Sequence, residues 1–286
     1  MNDLVFKVFK KAAYTFRGHH LNRFYTVRAT LNFVLRILKP KSVIVDGNRF
    51  YLDKNDSMRL SILRLYEPLT VKHFQEAVKP GDIVLDIGAH IGYYTLMAAK
   101  RVGKKGKVFA FEPDKDNRTI LNKNIRMNGY KNVIVVNKAV ASSTKRVKFF
   151  LNPLSTGMHS IIDLGYGSKK SILIDTVSLD DFFGKNPSQI SVIKMDIEGG
   201  EYGALEGMRR LLENVKQLTL FIEFSPYSIK RSKKSPRSFL NLLRYFNFKL
   251  YSIDESKKLL IPINVDKFLA SCPMDRDWHV NLMAVK

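Results

Sequence analysis

From Gly81 onward the chain alternates short apolar runs with amphipathic stretches. Strand-like runs fall at 83–86, 107–111, 133–136, 192–196 and 218–224, and helical spacing of apolar residues covers 92–102, 115–128 and 202–213. Short strands separated by helices predict parallel βαβ units with right-handed crossovers, and therefore an α/β, doubly wound sheet. Residues 146–175 alternate more in the manner of β structure and predict an insertion between the third and fourth sheet strands. The run 281–285 predicts a last strand that pairs back on the sheet.

The first part of the chain is patterned differently. Residues 1 to about 40 read as helical: Leu21, Phe24, Leu31, Val34, Leu35 and Leu38 share one helical face, with Arg23, Arg28, Arg36 and Lys39 between or beyond them. Pro40 ends this region. Residues 42–52 then form two strand-like runs about a turn beginning Asp46-Gly47, a strong hairpin signal. The expected division is a basic helical and hairpin extension over 1–65 and one α/β domain over 66–286.

Composition narrows the setting. The 286 residues are 45% hydrophobic, ample for one large core. Cys272 is the single cysteine, which excludes an internal disulfide and any cysteine-based metal cluster. A net charge of +22 favours polyanionic partners: nucleic acid, an anionic membrane face or phosphorylated substrates. No apolar stretch approaches the roughly 18 residues that span a bilayer. Lys7, Lys10 and Lys11 interrupt any signal-peptide run. The expectation is a cytoplasmic protein, with residues 1–40 acting as a lid or packing element or resting on an anionic membrane surface.

In open parallel sheets ligands bind beyond the carboxyl ends of the strands. The first core strand ends Asp86-Ile87-Gly88-Ala89-His90-Ile91-Gly92 and opens into a helix; the next ends Phe111-Glu112-Pro113. An acid about two dozen residues after a glycine turn suits both ribose hydroxyls of an adenosine. His90 stands where a dinucleotide fingerprint needs its second glycine, which obstructs the close approach of a pyrophosphate. S-adenosylmethionine meets these constraints: Glu112 takes the ribose, the loop from Gly88 to Gly92 takes the methionine part and Pro113 flanks the adenine. The fourth core strand ends Lys194-Met195-Asp196-Ile197-Glu198-Gly199-Gly200-Glu201 and the fifth ends Ile222-Glu223-Phe224.

Taken together, these pieces resemble the FkbM family of methyltransferases. The likeness runs in order from Tyr66-Glu67-Pro68 through Asp86-x-Gly88-Ala89-x-Ile91-Gly92, Phe111-Glu112-Pro113, Lys138-Ala139-Val140 and Lys194-x-Asp196-x-Glu198-Gly199-x-Glu201 to Ile222-Glu223. It implies a class I methyltransferase fold with a mostly parallel seven-stranded sheet, S-adenosylmethionine as donor, and a hydroxyl acceptor on a glycan, glycolipid or related polyhydroxyl compound. It adds Glu67, Asp86, Ala89 and Ala139 to the donor contacts. One departure is His90, where the family usually carries asparagine.

A hydroxyl acceptor must lose its proton, so a carboxylate at the sheet rim is useful as a general base. Asp196 is the best placed, with Glu198 and Glu223 as further candidates. The same residues, with Glu201, also suit capping of the following helix. A divalent ion on Asp196, Glu198 and Glu223 is chemically admissible, but the expected site is metal-free. RNA methylation is the rival reading, favoured by the charge; base-methylating enzymes typically carry Asn/Asp-Pro-Pro-aromatic where this chain has Asp196-Ile197-Glu198-Gly199. A non-catalytic adenosine-binding adaptor is a third.

Overall fold

The computed structural model describes residues 30, 33–34, 36–63, 65–153, 155–165, 170–184, 190–275 and 278–286. Of the helical N-terminus expected over 1 to about 40, residues 30, 33–34 and 36–38 are helical, and the remainder lies outside the described residues. Strands β1 (Ser42–Val45) and β2 (Asn48–Tyr51) pair antiparallel about Asp46-Gly47. Both turn residues have positive φ, 50° and 76°, as a type I′ hairpin requires.

Two short helices, α1 (Leu60–Leu63) and α2 (Pro68–Ala77), lead into the alternating region. It begins β3 (Ile83–Ile87), α3 (Tyr93–Val102), β4 (Lys107–Phe111), α4 (Lys115–Met127), β5 (Val133–Val136). The expected insertion is present. Strands β6 (Ala139–Val140), β7 (Arg146–Phe150) and β8 (Ser171–Val177) form a separate three-stranded sheet, with a 3-10 turn at Thr156–Met158 between β7 and β8. The chain continues through α5 (Leu179–Phe183), β9 (Ile190–Met195), α6 (Glu201–Glu206), α7 (Arg209–Asn214), β10 (Thr219–Phe224) and α8 (Pro226–Arg231). It closes with α9 (Pro236–Tyr245), β11 (Lys249–Asp254), β12 (Leu259–Pro262), α10 (Val265–Ser271) and β13 (Val280–Val285).

The main sheet has the order β12-β11-β13-β10-β9-β3-β4-β5, parallel from β10 to β5 and antiparallel at the other edge. It holds eight strands where seven were expected. The additional one, β12, is a four-residue edge strand ending in Pro262 that folds back on β11. From β3 the chain builds outward through β4 and β5 on one side, then through β9 and β10 on the other. The topology therefore reverses between β3 and β9, where a crevice opens at the strand ends.

Neighbouring residues on each central strand face opposite layers. Val84, Val192 and Phe221 join one buried cluster with Phe50, Phe74 and Tyr93; Leu85, Ile193 and Ile222 join another with Leu211, Phe224 and Leu243. Covering both faces explains why the strands are continuously apolar rather than alternating. The single helix expected over 202–213 is two, broken at Gly207-Met208. A Cβ on Gly207 would stand 2.1 Å from the carbonyl oxygen of Ala141, so the close backbone packing at that break requires glycine.

The hairpin is fastened to α4 by two asparagines. Asn124 accepts from Tyr51 N–H through Oδ1 (2.7 Å) and donates through Nδ2 to Tyr51 O (3.1 Å). Asn128, one turn later, treats Arg49 in the same way, both contacts at 2.8 Å.

Candidate active site

At the crevice, β3 and β9 are locked together before any ligand is considered. Asp196 N–H donates to Ile87 O at 3.0 Å. Gly88 has φ 85°, and a Cβ there would lie 2.0 Å from Asp196 O. Only glycine fits this position, because two strand ends meet on it. Gly92, with φ 96°, lies against the side chains of Leu96 and Leu121, beneath α3 rather than at the crevice.

A partly open cleft lies beyond these ends. Of the residues expected to hold the donor, Gly88, His90, Glu112, Pro113, Ala139 and Asp196 line it. Glu67, Asp86, Ala89 and Gly92 do not. Asp86 lies buried below, accepting from Thr95 Oγ1. Ala89 N–H donates to Phe111 O at 3.0 Å. Glu67 starts α2 and accepts from Tyr94 Oη at 3.0 Å.

Glu112 is 4% exposed. One carboxylate oxygen accepts from His90 N–H (2.8 Å) and the other from Asp114 N–H (2.9 Å). The Asn117 side chain is a further hydrogen-bond partner of this carboxyl; an ionised carboxylate offers about four acceptor positions, which leaves room for a ligand hydroxyl. Asn117, on α4, also lines the cavity; its buried Oδ1 has no partner among the described residues, while Nδ2 donates to Thr156 O at 3.1 Å. A diol acceptor beside an unpaired amide oxygen suits an adenosine, with its ribose hydroxyls and exocyclic amine.

His90 adopts φ 50°, a conformation in which asparagine and histidine are both enriched. That accounts for the exchange of one for the other at this position. The imidazole Nε2 pairs with Thr156 Oγ1 at 2.8 Å, and Thr156 Oγ1 donates onward to Asp53 Oδ2 at 3.2 Å. Burial lowers the His90 pKa, which keeps the ring neutral. Thr156 N–H also donates to Ser57 Oγ at 3.1 Å. The turn of the insertion is thus pinned over the cavity by groups from β3's loop, α4 and the segment after the hairpin. His159 lines the same cavity, its Nδ1 accepting from Asn152 N–H at 2.9 Å.

On the far side of Asp196 lies a concentration of charge. Asp196, Glu198 and Glu223 present carboxylate oxygens that all fall within 4.8 Å of one another. Burial is the first cause, and the Asp196 charge the second, of pKa values raised well above the usual carboxylate range at Glu198 and Glu223. Lys194, 1% exposed, places Nζ 3.3 Å from Asp196 Oδ2 and 3.4 Å from Asn281 Oδ1. Burial opposes its charge, yet the carboxylates of Asp196, Glu67 and Glu223 outweigh burial and raise its pKa. Glu201 clips the turn before its helix: its two oxygens accept from Ile197 N–H and Gly199 N–H, both at 2.9 Å. Ser160 Oγ donates to Glu198 O at 2.6 Å.

Residues 86–252, more than half of the chain, match the family described as the methyltransferase FkbM domain. The chain belongs to the FkbM methyltransferase family. No match to this FkbM-family chain is found among curated proteins. Among solved structures it is similar to an S-adenosylmethionine-dependent methyltransferase from Aquifex aeolicus, with 16% identity over 77% of this chain and 88% of the other (TM-score 0.42). Pyrococcus horikoshii TYW2 in complex with MeSAdo shows 15% identity over 85% and 70% (TM-score 0.46). An rRNA methylase from Streptococcus thermophilus shows 13% over 76% and 93% (TM-score 0.39). Likeness at this level says nothing about the acceptor.

Three participants of the FkbM-family site escaped sequence reasoning. Lys194 does carry a signal, because a lysine inside the apolar strand Ile-Ser-Val-Ile-Lys-Met marks a buried, paired charge. Asn117 and Thr156 carry no such signal, because their partners are distant in sequence. The basic run 230–234 is partly engaged within the chain: Arg231 donates to Asp163 O, and Lys234 lies 3.1 Å from Glu206 Oε1.

Burial also raises Asp86 to about 6 and Glu112 and Glu201 to about 7. Such carboxyls bind more protons folded than unfolded between the two pKa values. Their stabilising contribution is complete below the unfolded value, about 4, and is lost as pH rises through about 7. The Tm of the donor-free protein is therefore expected to fall by several degrees between about pH 5 and pH 7.5. Calorimetry across that window checks this; a Tm that climbs instead means these carboxyls are ionised and paired in the fold.

Proposed function

We propose that this FkbM-family methyltransferase moves the methyl group of S-adenosylmethionine to a hydroxyl of a glycan, glycolipid or related polyhydroxyl acceptor. The observation that carries the reading is the position of Asp196, which lines the donor cavity and belongs to the carboxylate cluster beyond it. On this reading Glu112 accepts the two ribose hydroxyls, Asn117 Oδ1 the adenine amine, and Pro113 and Ala139 flank the base. The loop at Gly88 and His90 borders the methionine part. Asp196 takes the acceptor's proton as the oxygen forms its bond to carbon and the carbon–sulfur bond breaks, leaving S-adenosylhomocysteine. Most of the acceleration comes from holding the two reactants in line.

The Asp196-Ile197-Glu198-Gly199 turn, where base-methylating enzymes typically carry Asn/Asp-Pro-Pro-aromatic, favours this acceptor over RNA. Residues 1–40 carry eight Lys and Arg against one Asp, which suits a cytoplasmic enzyme resting on an anionic membrane face where glycolipid acceptors lie. Among the described residues no helix is long and apolar enough to cross a membrane. The test is transfer of labelled methyl from the donor to purified glycans, glycolipids and total RNA in parallel. Label recovered as a methyl ether on the carbohydrate is expected; label confined to RNA bases would sink the proposal.

A further inference from the structure

The acidic edge beyond the donor cavity carries more negative charge than one proton acceptor needs. Glu67, Asp196, Glu198 and Glu223 gather four carboxyl groups here, against the one buried ammonium of Lys194. Lys194 takes Asp196 Oδ2, so Oδ1 remains open. Glu223 is only 9% exposed, and no hydrogen-bond donor reaches its carboxylate among the described residues. A buried carboxylate without a donor is costly, and this one points at two further carboxylates within 4.8 Å. The backbone under them is secured from three sides, by Ile87 O, by the Glu201 clip and by Ser160 Oγ. The three oxygens are thus held together against their mutual repulsion.

We propose that Asp196, Glu198 and Glu223 form a divalent-cation site for a hard ion such as magnesium or manganese, contrary to the metal-free site expected from the sequence. The donor set is all oxygen, which suits such ions and not zinc or copper. Three protein ligands leave coordination positions for water or for two neighbouring hydroxyls of a polyhydroxyl acceptor. An ion so placed acidifies the hydroxyl that Asp196 deprotonates. The part that concerns the acceptor rests on the function proposed above; the ion site does not.

Manganese titrated into purified, donor-free protein and followed by electron paramagnetic resonance tests the site without any turnover. One ion per chain is expected, bound about tenfold or more weakly in both Glu223→Gln and Glu198→Gln. If Glu223→Gln does not fold, Glu198→Gln decides alone, since its side chain is partly exposed at the turn. Absence of binding at millimolar manganese, or binding unchanged in the folded variants, overturns the site. Donor binding measured by calorimetry on the same samples separates the two ideas. Protein that binds donor and no manganese loses the ion site and keeps the methyltransferase reading; protein that binds manganese yet methylates RNA alone keeps the ion site and loses the acceptor.

Discussion

Asp196→Asn should lower kcat by about 10²–10⁴ while donor affinity stays within about threefold. Asparagine keeps the shape and can still contact Lys194, but it cannot accept a proton. Lys194 is left among Glu67, Glu223 and Asn281, so the variant should fold; its melting curve needs to accompany the rate. Partial recovery of the rate at high pH would mark the loss of a base, because hydroxide then substitutes for the carboxylate. Loss of rate that pH does not restore, together with loss of manganese binding, would make Asp196 a ligand first. A variant that keeps most of its activity leaves Asp196 as part of the turn and passes the proton to Glu223, or leaves catalysis to orientation alone.

The second large effect concerns the donor. Glu112→Ala should weaken S-adenosylmethionine binding by roughly 2–4 kcal/mol, about 30- to 1000-fold, through two lost charge-assisted hydrogen bonds. The structure adds a cause absent from the sequence argument. Glu112 also gathers the amides of His90 and Asp114, so its removal loosens the loop after β3. Glu112→Gln, which keeps one acceptor oxygen, should fall between the two. Calorimetry in which Glu112→Ala binds as tightly as the parent would refute the ribose assignment.

What could be read from the sequence followed periodicity. The parallel strands, the insertion, the final strand and the Asp46-Gly47 hairpin all announce themselves through local spacing or turn chemistry. Features set by contact between distant segments did not. The need for glycine at the break, position 207, comes from the carbonyl of Ala141, just past β6 and far upstream along the chain, and nothing within 202–213 reveals it. Gly88 was legible as a turn glycine, yet the atom that demands it is the carbonyl of Asp196. The gathering of Asp53, Ser57, His90 and Asn117 on Thr156 joins positions between 39 and 103 residues apart. The strand β12 is short and ends in Pro262, so it does not signal itself.

The asparagine pair that fastens the hairpin has a consequence for how the chain finds its register. Two residues along a strand advance about 6.6 Å, and four along a helix about 6 Å. Arg49 and Tyr51 therefore stand opposite Asn128 and Asn124 with almost equal pitch, and each amide offers the backbone one donor and one acceptor, as a neighbouring strand would. The helix serves as a sheet edge with only two rungs. A slip by one residue turns Phe50, fully buried here, toward solvent; a slip by two strands one rung. The hairpin is thus indexed like a scale against its vernier, and errors of alignment are rejected by a surface that contains no strand at all.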